Sequence, residues 1–141
     1  MKRQSGFTLV EVMVAVVIAA ILASVALPAY TNYVRRGKIS EATSNLASLR
    51  VVMEQYYQDN RTYMNGGACG ATMPAAPAVQ HFTFACAGTA TTYTLTATGI
   101  GGMAGFSYTL NEANAKASAV AGVAGWAGNN ACWVTKQGGA C

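Results

Sequence analysis

From Phe7 to Leu27 the chain runs for 21 residues with Glu11 as its only ionisable side chain. As a helix that stretch measures about 31 Å against a hydrocarbon core of about 30 Å, enough to span a bilayer. Beyond Pro28 the pattern becomes amphipathic. Ile39, Ala42, Leu46, Leu49, Met53 and Tyr56 recur every three or four residues on one stripe, while Lys38, Glu41, Asn45 and Glu54 fall elsewhere. One face is therefore built to be covered, and a sheet is the expected cover. Asp59-Asn60 and Gly66-Gly67 end the helix and open a loop. The prediction is one helix of about fifty residues, half in membrane and half in a head.

Strand periods follow. Phe82, Phe84 and Cys86 alternate with His81, Thr83 and Ala85. Tyr93, Leu95 and Ala97 alternate with Thr92, Thr94, Thr96 and Thr98, and Phe106, Tyr108 and Leu110 alternate with Ser107 and Thr109. Each segment has one apolar and one mostly hydroxyl face, as in an antiparallel sheet with one side on a core and the other wet. Asn111-Glu112-Ala113-Asn114 reads as a turn into a weaker fourth strand, Ala115 to Ala119. Gly99 to Gly105 is expected to be a flexible connection, and Val120 to Ala131 a loop. The fold class is α+β.

Composition fits a small exported domain. Nine Lys plus Arg oppose five Asp plus Glu; without Lys2 and Arg3 the balance is seven to five, or +2, which is no strong polyanion signal. About 110 residues after the apolar run suit a single head. Four cysteines with no C-x-x-C pair fit an oxidising compartment better than a metal or redox centre. Of their three pairings, the reading favours Cys69-Cys86, tying the loop after the helix to the first strand, and Cys132-Cys141, closing the C-terminal segment. A closure of about fifteen residues contributes about 3 kcal/mol by loop entropy.

Glu11 is the anomaly, because a carboxylate in an apolar helix needs a counter-ion. Cleavage after Gly6 would create one: the new α-amino group of Phe7, with its usual pKa near 7.7–8.0, is mostly cationic at neutral pH. It would lie four residues from Glu11 on the same helix face, or reach the Glu11 of a neighbouring subunit.

This block resembles the class III signal of type IV pilins and pseudopilins, with the C-terminal pattern closest to the PilE group. The resemblance implies a cleaved leader over residues 1–6, a membrane and filament-core helix over 7–27, and a head over 28–141. It implies Gly6 as the residue before the cut, Phe7 as the N-methylated first residue, and Glu11 as the docking glutamate. Pro28 matches a proline that kinks or locally melts the helix during assembly. The implied fold is a long N-terminal helix on an antiparallel sheet of about four strands, with a disulfide-closed C-terminal loop. The implied partners are other pilin subunits, a prepilin peptidase and the inner-membrane assembly platform. The subunit would be held in the inner membrane with its head in the periplasm, then enter an extracellular filament.

Two plainer readings of the N-terminus compete. A secretory signal would be cut near Ser24-Val25-Ala26, and an uncleaved anchor would keep Met1. Arg35, Arg36 and Lys38 after the span favour the opposite orientation by charge count, but basic residues in a helix continuing into a folded domain are a weaker cue than the leader motif.

Little else invites chemistry. His81 is the only histidine and falls on the hydroxyl face of a strand, no nucleophile has a visible histidine partner, and no glycine-rich loop precedes a helix. An enzyme is not expected, nor a cofactor or metal. The resulting functions are a pilus subunit, major or minor, serving twitching motility, adhesion or DNA uptake; a pseudopilin of type II secretion; or a DNA-binding minor pilin. Lys116, Lys136 and Trp133 offer charge and stacking to DNA, although phosphate affinity normally requires several clustered basic residues.

Overall fold

The computed structural model describes residues 6–141. Of the leader expected over residues 1–6, residues 1–5 lie outside the described residues. The chain divides into two compact units, one ending at Val34 and one running Arg35–Cys141, with helix α1 (Leu9–Asn60) contributing to both.

In the first unit α1 is apolar on every side and exposed throughout, from Leu9 to Leu27. A helix apolar all round needs a core or a membrane to cover it. By length and composition this one can cross a bilayer. Two of its hydroxyls are satisfied within the helix: Ser24 Oγ donates to the Ile21 carbonyl at 2.7 Å and Thr31 Oγ1 to that of Pro28 at 2.9 Å. The helix continues through Pro28, which has no N–H to offer Ser24 four residues back.

In the second unit the stripe Ile39, Ala42, Leu46, Leu49 and Met53 is buried. Its cover is a four-stranded antiparallel sheet in sequential order, formed by β3 (Phe82–Gly88), β4 (Tyr93–Gly99), β5 (Phe106–Asn111) and β6 (Lys116–Val120). The register places Phe82 opposite Gly99, Leu95 opposite Leu110 and Tyr108 opposite Ser118. Inward positions Phe82, Tyr93, Leu95, Ala97, Phe106, Tyr108 and Leu110 join the helix stripe in one core, while Thr83, Thr94 and Thr98 stay wet. Phe82 meets Tyr108 and Phe106 meets Trp126 edge to face, with centroids 5.9 and 5.1 Å apart. Strand β6 begins one residue later than the period suggests. Ala115 still belongs to the turn, donating to Asn111 Oδ1 and accepting from the Asn111 N–H.

Two connections differ from expectation. Gly66-Gly67 does not simply open a loop; both glycines have positive φ, and they turn a short hairpin between β1 (Met64–Asn65) and β2 (Ala68–Cys69). The segment Gly99 to Gly105 is packed rather than flexible: Gly101–Met103 forms a 3-10 turn whose Met103 is fully buried. A side chain at Gly99 would strike the Met103 carbonyl, which is why glycine ends β4. His81 lies just before β3, half-buried, and its carbonyl accepts the Ile100 N–H at 2.9 Å.

Cys69 is bonded to Cys86 and Cys132 to Cys141, each with Cα atoms 6.1 Å apart. The C-terminal segment is held by Ser118, the one buried polar residue among those described. Its hydroxyl donates to the Cys132 carbonyl and accepts the Val134 N–H, both at 2.8 Å, and Tyr108 Oη donates to the Val134 carbonyl at 3.0 Å.

Candidate functional site

The N-terminal candidate residues sit on the first turn of α1. Phe7 is exposed just before it, and Glu11 is its acidic residue. Thr8 precedes the first helical residue, and its Oγ1 accepts the Glu11 N–H at 3.3 Å. Thr8-Leu9-Val10-Glu11 is thus a T-x-x-E capping sequence, a local signal that the chain itself carries. Glu11 therefore has a local role as well, since a carboxylate in the first turn interacts favourably with the helix dipole.

The head uses its acids internally. Glu41 Oε1 accepts three backbone N–H groups, from Gln80, His81 and Phe82 at 3.1, 2.9 and 3.2 Å, and so pins the start of β3 to α1. Glu54 accepts the hydroxyls of Tyr63 and Tyr93, each at 3.1 Å. Burial first, and this bond second, push both phenols above their ordinary pKa. Tyr57 stacks on Tyr63, with centroids 4.5 Å apart. Glu112 Oε2 accepts the Tyr93 N–H at 3.2 Å.

Cations outnumber acids in the head. Residues 35–141 carry seven Lys or Arg against four Asp or Glu, a net +3. Three of those four acids are engaged by N–H and O–H groups rather than by cations. Arg50 Nε is buried without a hydrogen-bond partner, and Lys38 Nζ lies beside the turn at Gly102.

The candidate residues Lys116 and Trp133 come together, whereas Lys136 is an exposed residue of the C-terminal loop. Lys116 Nζ stands 4.7 Å from the Trp133 ring centre, and Trp133 Nε1 donates to the Thr109 carbonyl at 2.9 Å, fixing the ring. Thr43, Ser44, Lys116, Cys132, Trp133, Thr135 and Cys141 line a groove of about 430 Å³. No group of acids, histidines and cysteines among the described residues could hold a metal ion.

Comparison with known proteins gives two family matches. A model described as "Type IV minor pilin ComP, DNA uptake sequence receptor" matches residues 28–120, and the prokaryotic N-terminal methylation motif matches residues 1–27. A probable minor fimbrial protein of Dichelobacter nodosus is 40% identical over 68 residues, covering 48% of this chain and 43% of that protein. The type IV major pilin protein PilE1 of Neisseria gonorrhoeae is 38% identical over 72 residues, covering 51% of this chain and 34% of that protein. The aligned stretch spans less than half the length of these relatives. The crystal structure of the Neisseria meningitidis non-core minor pilin PilV shares the fold, with a TM-score of 0.51 at 18% identity over 66% of this chain and 94% of that one. With the methylation motif on its apolar helix and the pilin model over its head, the chain belongs to the type IV pilins, in the family of the minor pilin ComP.

Proposed function

We propose that this chain is a non-enzymatic structural subunit of a type IV pilus. The observation that carries the reading is Glu11, the sole ionisable residue of an apolar helix with no protein cover, in a chain whose first 27 residues match the methylation motif. A prepilin peptidase cuts after Gly6, and Phe7 becomes the methylated N-terminus. The subunit waits in the inner membrane with its head in the periplasm, and the assembly platform then moves it into the filament. There Glu11 meets the amine at Phe7 of an adjacent subunit within an apolar bundle. An unpaired charge in that setting is costly, so the pair selects register as well as affinity. Pro28 offers the cheapest place for the helix to open during that transfer, because one backbone hydrogen bond is already missing there. The match over the head favours a pilus over a type II secretion pseudopilus.

Replacing Glu11 with Val should leave membrane insertion intact and strongly reduce the chain in sheared filaments. Thr8→Ala removes the helix cap but keeps the carboxylate, and should assemble. Normal filament entry by Glu11→Val would refute the docking role.

A second reading concerns the head, which would bind DNA during uptake. The match to a family described as a DNA uptake sequence receptor favours it, as does the excess of cations over acids in residues 35–141. Neutralising phosphates releases counterions, so binding by the full chain in detergent micelles should weaken steeply with salt. Binding no stronger than that of a charge-matched control protein would refute it.

A further inference from the structure

The cations that open the head stand against an apolar turn. Arg35, Arg36 and Lys38 are the first charged residues after Glu11, and the next acid in the chain is Glu41, whose Oε1 is taken by three backbone N–H groups. Arg35 and Lys38 lie three residues apart on α1 and so share a face. Lys38 reaches the connection between β4 and β5: a side chain added at Gly102 would come within 3.6 Å of its Nζ. That connection, Gly99 to Gly105, carries no charge. It presents Ile100, which beyond Val52 is the one large apolar side chain left exposed among the described residues. The backbone holds it there, because the Ile100 N–H donates to the His81 carbonyl at 2.9 Å and the Ile100 carbonyl accepts the Met103 N–H at 3.0 Å.

Basic side chains around an exposed aliphatic tip suit a surface that is anionic outside and apolar beneath. The chain brings its own such surface within reach. Arg35 follows Leu27, the end of the apolar run, by eight residues, a tether that extends about 28 Å at most. At that range the bilayer surface is effectively concentrated around the head, so a contact too weak to hold a free domain can hold a tethered one. We propose that Arg35, Arg36, Lys38 and Ile100 dock the head of the unassembled subunit on anionic phospholipid headgroups of the bilayer that its own helix crosses, with Ile100 entering the headgroup layer. This also accounts for basic residues on the side where charge count disfavours them. The inference rests on residues 7–27 spanning the membrane, and adds a second, reversible contact that entry into a filament must break.

The test places one copy of the full chain in a lipid nanodisc, made either of zwitterionic phosphatidylcholine or of a mixture with anionic phosphatidylglycerol, and follows amide hydrogen exchange. Each Lys or Arg near an anionic surface contributes about a five-fold preference, so three predict exchange of the Gly99–Gly105 segment slower by about ten-fold or more in the anionic discs. The turn at Asn111–Asn114, at the far end of β5, should exchange alike in both. Salt at about 1 M, where the Debye length is about 3 Å, should erase the difference. Replacing Arg35→Gln together with Lys38→Gln should bring the ratio close to one, and Ile100→Ser should reduce it. Arg61→Gln removes a charge elsewhere on the head and should retain it. Melting curves matching the wild type establish that the variants are folded. Equal exchange in the two lipid types, or a difference that survives the double replacement, overturns the docking face while leaving the membrane helix in place. Protection that appears only in discs holding several copies assigns the face to a neighbouring subunit and likewise overturns it. A chain that does not co-purify with the discs overturns the membrane reading as well.

Discussion

Replacing Glu41 tests how the head is held together. Its Oε1 accepts three N–H groups from consecutive residues, of which Phe82 is buried. Hydrogen bonds to a charged group contribute about 1.5–3 kcal/mol, against about 0.5–1.5 kcal/mol between neutral partners. Three donors sharing one oxygen do not add fully, so Glu41→Gln, which keeps shape and removes charge, should cost about 1–2 kcal/mol. Glu41→Ala also leaves the Phe82 N–H buried without an acceptor and should cost about 3–4 kcal/mol. For a head of this size, 1 kcal/mol corresponds to about 5 °C in Tm, which predicts losses of about 5–10 °C for Gln and about 15–20 °C for Ala. Thermal unfolding followed by circular dichroism supplies the numbers. Hydrogen exchange should show the amides of Gln80, His81 and Phe82 losing protection first. An alanine variant that melts within about 2 °C of the wild type would refute the claim that this carboxylate anchors β3 to the helix.

Ser118→Ala strips two partners from the C-terminal segment and should cost about 1–3 kcal/mol, with faster proteolysis after Asn129; an unchanged denaturation midpoint would contradict it. Gly99→Ala drives a methyl into the Met103 carbonyl and should destabilise the head more than Gly122→Ala, compared by urea midpoints. Burial raises the phenols of Tyr63, Tyr93 and Tyr108 above 10.0, so each folded pKa exceeds its unfolded value. Their contribution is therefore present below about pH 10 and lost as pH rises beyond it; Tyr108→Phe should be less stable at neutral pH but less sensitive between about pH 10 and 12, as read from melting curves across pH.

The elements with a long period were legible. The helix stripe from Ile39 to Met53 and the alternation in β3, β4 and β5 each repeat over several turns or residues, so burial leaves a trace in the chain. Polar fastening leaves none. Glu41 reaches N–H groups about forty positions away and Glu54 joins two tyrosines from different elements, and neither partner carries a local signal. The β1–β2 hairpin is too short to show alternation, and Met103 is one apolar residue in a run of glycines whose burial depends on the sheet already being formed. Lys116 and Trp133 were visible as residue types, but their contact requires a C-terminal segment held in place by Ser118 and Tyr108.

The central claim is that proteolysis creates the charge that Glu11 needs. Intact mass and N-terminal sequencing of the protein taken from its host test this most directly. The account predicts a chain beginning at N-methylated Phe7; a chain beginning at Met1, or one starting at Leu27 or beyond, would contradict it.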